Sequence, residues 1–362
     1  MLKKAFFIPF ILFLSTFTFD KLFLLDSFPI YYLTTGSFIN FEHKEKLIFE
    51  LKEYLKQSKE KRKNVLVIMG NSRSMSFDNH YIEKNFPEWT MFNFSVPGGT
   101  QDYFLYLMEK FKKYNIKPEA ILFAVTPQGM NLKPAVLTDE VMVFGLPPEF
   151  IIRKFYYYKV DEITNYIGKK LFVVYKYRPK IRVIKSRLND SNLLSFINFL
   201  IKTEMVLEQN RGNVPSHIEY KPSVSEEVLE KNAKSIWKDF FTPFVLNKNS
   251  LYFVEECIKI SKELNISKIG LFWPPVSPQL KKRKRNDKVA IVYQDHKKIK
   301  KTVYEVWTPE MINISKKYNI LWLDFNYEMP LKCNYFSDAS HLASICYDEY
   351  TDKIFTSIGV KK

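Results

Sequence analysis

The sequence predicts an α/β fold: a doubly wound, three-layer α/β/α sandwich of about five parallel strands with a helical insertion. Three observations predict it. Short apolar runs of strand length alternate with longer stretches of helical periodicity. Two of those runs pass directly into small or glycine-rich segments, Gly70-Asn71-Ser72-Arg73-Ser74 and Pro97-Gly98-Gly99-Thr100. In a doubly wound sheet, ligands bind beyond the carboxyl ends of the strands, which is where both segments fall. The composition, 46% hydrophobic and 16% aromatic over 362 residues, supports a sizeable core and excludes disordered and collagen-like classes.

In chain order, Lys3 and Lys4 precede an almost wholly apolar run from Ala5 to Phe19, the charge pattern of a signal sequence or signal anchor. A span needs about 20 apolar residues; this run is short for one, and Leu22 to Leu25 can extend it past Asp20 and Lys21. No small-x-small cleavage site follows, which favours an uncleaved anchor, so residues 5–25 are read as the membrane contact. Strands are expected at Val65 to Met69, Met91 to Val96, Ala120 to Val125, Lys268 to Trp273 and Ile320 to Phe325. Helices are expected at Gln101 to Tyr114, Leu251 to Leu264 and Glu305 to Lys317, with Ala343 to Ile358 closing the fold. Between Asn131 and about Asn247 the alternation lapses for longer than a minimal crossover needs, which marks an insertion. Within it, Leu193 to Ile201 reads as a buried helix. The expected organisation is therefore an anchor and juxtamembrane segment (1–40), a first part of the α/β domain (41–135), a helical basic-aromatic insertion (136–248) and a second part (249–362).

The formal net charge is +16. From Ile151 to Arg187, eleven Lys/Arg face two Asp/Glu and are interleaved with Tyr156, Tyr157, Tyr158, Tyr166, Tyr175 and Tyr177. Two further basic runs are Lys281 to Arg285 and Lys297 to Lys301. On an anchored protein, such a surface suits anionic lipid headgroups or an anionic glycan, or is simply a solvated basic face. Nucleic acid is disfavoured, because no recognised binding motif accompanies the charge and the amino terminus carries an export signal. The cysteines, Cys257, Cys333 and Cys346, leave two alternatives. Cys333 and Cys346 bracket Asp338 and His341 and could staple that loop in an oxidising compartment, or Cys346 packs as a small hydrophobe, the favoured reading. No His/Cys cluster has metal-ligand spacing, and no cofactor is expected.

The candidate chemistry lies at the two ends of the chain. Ser72 stands where a buried strand turns into a helix, so its hydroxyl points outward. A serine hydroxyl needs a base that is itself oriented by a third group. Of the five histidines, His43, His80, His217, His296 and His341, only His341 has a carboxylate three residues before it in a Ser/Asp/Ala-rich turn, at Asp338. Gly98 and Gly99 follow a strand and bring backbone N–H groups close to a ligand, as a developing oxyanion requires.

These segments resemble the blocks of the SGNH (GDSL-like) hydrolase superfamily. Gly70-Asn71-Ser72 is similar to its Gly-Asp-Ser block, Asn93 to Thr100 to its Asn-x-Gly-x-Ser-Gly-Asp-Thr block, and Asp338 to His341 to its Asp-x-x-His block. Asn71 replaces an Asp, Ser95 and Pro97 replace Gly and Ser, and Cys346 stands where a Gly often follows the His. The family's Gly-x-Asn-Asp block has no close match, and Asn131 arrives several residues late for its oxyanion Asn. The chain also looks like membrane-anchored SGNH-like envelope proteins of diderm bacteria and, more distantly, DltD and the alginate O-acetylation proteins. That resemblance implies a catalytic triad of Ser72, His341 and Asp338, an oxyanion site at Gly98 and Asn131, and a periplasmic domain tethered to the inner membrane. It further implies an esterase or O-acyltransferase acting on an envelope glycan or lipid. The alternative is a catalytically inactive SGNH-like module that binds or scaffolds an envelope polymer.

Overall fold

The computed structural model describes residues 2–25, 32–33, 36–132, 139–177, 180–294 and 297–362; Arg178 and His296 lie outside them. The chain divides into two compact units, one of Met1–Phe41 with Met142–Met205 and the other of Glu42–Val141 with Val206–Lys362.

The larger unit carries a five-stranded sheet. Its strands are β1 (Asn64–Met69), β2 (Trp89–Asn93), β3 (Ala120–Ala124), β4 (Lys268–Trp273) and β7 (Leu321–Asp324). They are ordered β2-β1-β3-β4-β7 and every pairing is parallel. A parallel sheet is covered on both faces, which is why β1 reads as the continuous run Val65-Leu66-Val67-Ile68-Met69 and why all five of those residues are buried. The winding reverses between β1 and β3, and the crevice outside the carboxyl ends of these strands is where such sheets bind ligands.

On one face, Leu66, Ile68, Leu122 and Phe272 share a core with residues of the helices Asn79–Asn85 and Tyr347–Ser357, including a stack of Phe86 on Phe355 at 4.5 Å. On the other, Phe104 meets Phe123 and Trp307 meets Trp273 edge-on at 4.7 Å, bringing in the helices Gln101–Tyr114 and Val303–Tyr318. Gln101–Tyr114 follows the predicted bounds because its signals are local. Asp102 lies in the first turn, Lys112 and Lys113 in the last, and Asn115 closes it in the left-handed region at φ 55°.

Departures from expectation have identifiable causes. β2 stops at Asn93, although Phe94 N still donates to Ile68 O at 2.7 Å before the chain turns away. An unexpected antiparallel hairpin, β5 (Ala290–Gln294) and β6 (Lys297–Lys301), pairs Val292 with Ile299 and Ile291 with Lys300. Its second strand has only Ile299 as an apolar residue, so in sequence it reads as a charge run. The stretch read as one insertion, 136–248, is split: Met142–Met205 groups with the amino terminus, whereas the chain from Val206 groups with the sheet. There, Arg211 O accepts from Asn93 N, and Gly212 O accepts from the buried Lys44 ammonium at 2.7 Å.

The smaller unit contains the amino-terminal helix Leu2–Lys21 and the helices Val160–Leu171, Val173–Tyr177, Ile181–Arg187 and Asp190–Gln209, the last running into the larger unit. Phe7–Leu24, with mean hydropathy 1.7, is long and apolar enough to cross a membrane and fits an anchor or a signal sequence. The expectation that Leu193 to Ile201 is a buried helix is corrected. Leu200 is buried, but Leu194, Phe199 and Ile201 on the same helix are more than half exposed. The apolar residues of this stretch occupy more than one face of the helix, and only one face packs.

Candidate active site

The nucleophile turn is built by β1. Where the strand ends, Gly70 is followed by Asn71, whose side-chain oxygen accepts from Arg73 N at 3.1 Å and caps the short 3-10 turn Ser72–Ser74. The turn is tight because a Cβ on Gly99 would lie 2.2 Å from the Gly70 carbonyl oxygen. Gly98 beside it adopts φ +69°, a conformation that L side chains rarely take. The glycine pair after β2 therefore lets the second segment reach the first.

The candidate base, His341, arrives from the far end of the chain. Phe336 and Leu342 form an antiparallel bridge, Ser337 N donates to His341 O at 2.9 Å and Ala343 N to Tyr335 O at 2.9 Å, so residues 337–341 make a closed loop. A disulfide between Cys333 and Cys346, with Cα atoms 5.4 Å apart, brackets that loop, correcting the expectation that Cys346 is only a packed hydrophobe. Ser277 N, just after β4, donates to Ala339 O and ties the loop to the sheet.

The result is a contiguous chain of hydrogen bonds. Ser72 Oγ lies 2.8 Å from His341 Nε2, and His341 Nδ1 lies 2.8 Å from Asp338 Oδ2. The other carboxylate oxygen accepts from Ser340 N at 2.7 Å, Ser340 Oγ at 3.0 Å and His341 N at 3.0 Å. Burial works against the ionised Asp338, but the His341 hydrogen bond and charge and the two Ser340 donors outweigh it and hold its carboxyl well below the usual range. An ionised carboxylate only accepts, so Nδ1 carries the proton and Nε2 presents its lone pair to Ser72. Ser74, the nearest serine in sequence, is fully buried and bonded to Asn71 O and Ser95 Oγ, both at 3.0 Å.

A family model described as a protein of unknown function, DUF1574, matches residues 1–358. The chain belongs to the DUF1574 family. No curated protein matches it.

In this DUF1574 chain the residues predicted from sequence are not all brought together. Ser72, His341 and Asp338 meet, and Gly98 lies on the segment that packs against the nucleophile turn. Asn131 does not join them. Its amide nitrogen donates to the carbonyls of Phe240 and Pro243 at 2.9 and 3.1 Å, and its oxygen accepts from Val245 N at 2.8 Å. It staples residues 240–246 to the end of β3, so its role as an oxyanion donor is corrected to a structural one. The N–H groups of Ser72 and Gly98, by contrast, donate to no acceptor among the described residues. In a second His–Asp pair, His217 with Asp78 at 3.0 Å, the histidine is exposed and the carboxylate half-buried.

Sequence reasoning missed the set of buried polar groups beside Ser72, His341 and Asp338. Arg73 and Lys284 are buried, and the Arg73 Nη atoms, the Lys284 ammonium, Trp273 Nε1 and the Tyr350 hydroxyl have no hydrogen-bond partner among the described residues. Burial pulls Arg73 down to about 10, opposed by the charge of Asp338, and burial followed by repulsion from Arg73 pulls Lys284 well below its ordinary value. Burial also raises Asp324, the last residue of β7, to about 6 despite N–H donors from Asn326 and Tyr327. Only Arg73 had a signal in sequence, its place beside Ser72. Among the described residues no group of three or more His, Cys, Asp or Glu could hold a metal ion.

Proposed function

We propose that this protein is a membrane-anchored serine esterase or O-acyltransferase of the SGNH type, acting on an acyl ester of an envelope glycan or lipid from the periplasmic side of the inner membrane. The observation that carries this reading is the 2.8 Å contact between Ser72 Oγ and His341 Nε2, with Asp338 on the opposite ring nitrogen. The apolar amino-terminal helix supports the tether, and the basic excess of residues 151–187 supports an anionic lipid as the surface it meets.

Ser72 Oγ attacks the acyl carbonyl carbon while its proton passes to His341 Nε2. Asp338 keeps Nδ1–H in place and stabilises the imidazolium that forms. Charge builds on the carbonyl oxygen, where the N–H groups of Ser72 and Gly98 are the available donors. The tetrahedral intermediate collapses, the leaving alkoxide takes the proton from Nε2, and the acyl group remains on Ser72. Water or an acceptor hydroxyl then attacks, gives its proton to Nε2 and releases a carboxylic acid or a new ester, returning the proton to Ser72.

A fluorophosphonate probe tests the reading on the folded full chain. Wild type and Ser74→Ala should be labelled, and Ser72→Ala and His341→Ala should not. Absence of labelling and of short-ester hydrolysis in wild type would replace the enzyme with the polymer-binding module.

A further inference from the structure

The smaller unit exposes apolar side chains at a density that water does not favour. Among the described residues of Met142–Met205, fourteen large hydrophobics are exposed, while the described residues of the larger unit expose eight. They are spread over successive helices, at Ile152, Val160, Ile167, Ile181, Phe199 and Met205 among others. The same 64-residue stretch carries twelve Lys/Arg against five Asp/Glu. Apolar side chains interleaved with basic ones are the composition of helices that lie in a membrane interface, with lysine and arginine at headgroup level.

The amino-terminal helix fixes the depth. The ring of Phe172 meets those of Phe13 and Phe17 at 6.1 and 6.0 Å, within the apolar span. At 1.5 Å per residue, Phe13 lies about 12 Å along the helix from Lys21, so the chain at Phe172 descends alongside the span. The buried Asp20 carboxylate accepts from Val173 N at 2.7 Å and Val174 N at 2.9 Å, and Lys21 bonds both Asp20 and the Leu171 carbonyl. A charged pair inside an apolar span is costly unless protein groups satisfy it at that depth. Here, those groups belong to residues 171–174.

We infer that the helices of residues 152–205 form a membrane-embedded platform, inserted into one leaflet beside the anchor and held there by anionic phospholipid. Its occupant is the lipid itself: acyl chains against the exposed apolar side chains, and phosphate headgroups against residues such as Lys180, Arg182 and Lys185, all exposed. This rests on the reading that residues 7–24 span the bilayer.

Spin labels placed on the full chain in phosphatidylglycerol–phosphatidylcholine vesicles test it. Cys333 and Cys346 are bonded and Cys257 is buried, so introduced cysteines are the labelled sites. Labels at Val160→Cys and Phe199→Cys should show oxygen-enhanced relaxation and loss of relaxation by a water-soluble nickel chelate, as should Leu12→Cys in the anchor. Tyr293→Cys, exposed in the larger unit, should show the reverse. If either Val160 or Phe199 behaves like Tyr293 while Leu12 remains lipid-exposed, the platform is overturned and the anchor stands. If Leu12 also behaves like Tyr293, the anchor reading fails and the platform with it, while the triad is still judged by probe labelling.

Discussion

The two units of this chain solve opposite solvation problems. In the larger unit, apolar strands are largely buried, and Ser72, Asp338 and His341 at the strand ends are hydrogen-bonded to one another above buried polar groups such as Arg73 and Lys284. In the smaller unit, the helices bury few residues while large apolar residues remain outside. Burial inside protein is what positions Ser72, Asp338 and His341, whereas the second unit leaves its apolar surface for a different solvent. The same residue type, a phenylalanine on a helix, therefore means core in one unit and contact surface in the other.

The largest expected effect falls on the site. Asp338→Asn should lower the rate of ester turnover or probe labelling by about 10⁴-fold, since it mis-sets the His341 tautomer while leaving the base in place. An unchanged thermal transition alongside that loss would separate orientation from folding; a rate close to wild type would show that the hydrogen bonds to Asp338 serve the loop alone.

Next is the contrast between cores. Phe86→Ala removes a fully buried ring stacked on Phe355 and should cost about 3–5 kcal/mol in denaturant unfolding. Phe199→Ala, at 57% exposure, should change stability by less than about 0.5 kcal/mol and act instead on membrane partition. Equal losses for the two would erase the distinction between the units.

A pH effect of about 3 kcal/mol is expected from Asp324. Its folded value, about 6, lies above its ordinary 3.8, so the folded state holds the proton more tightly than the unfolded chain. Stability from this group is therefore full below about pH 4 and declines as pH rises through 6. Asp324→Asn should remove that decline, which urea titrations at pH 4 and pH 7 would read.

The last effect concerns surface charge and is read in binding. Reversing Lys180, Arg182 and Lys185 to Glu should weaken binding to anionic vesicles by about 1 kcal/mol or more for each residue. The difference should fade with salt as the screening length falls to about 8 Å at physiological ionic strength. A salt-independent difference would assign the attraction to apolar contact instead.

What the sequence determined by itself is local. The five parallel strands are legible because each is a short, largely apolar run set between longer helical stretches, and Gln101–Tyr114 because its capping and end-charge signals lie within it. Ser72, Asp338 and His341 are legible because a nucleophile, a base and an orienting acid are restricted to few residue types, and Asp338 and His341 sit three residues apart. Long-range partnership was decided by the tertiary structure. Asn131 could be given its stapling role only once residues 240–245 were seen beside it, and Cys333 acquired its partner only through the bridge between Phe336 and Leu342. Arg73, Lys284, Asp324 and Tyr350 come from segments scattered along the chain, so no spacing announces them. Their common burial arises only when the carboxyl ends of β1, β4 and β7 converge. The smaller unit follows the same rule: an apolar helix in sequence is the same string of letters whether protein or another medium covers it, and only the packed neighbours show which faces are left open.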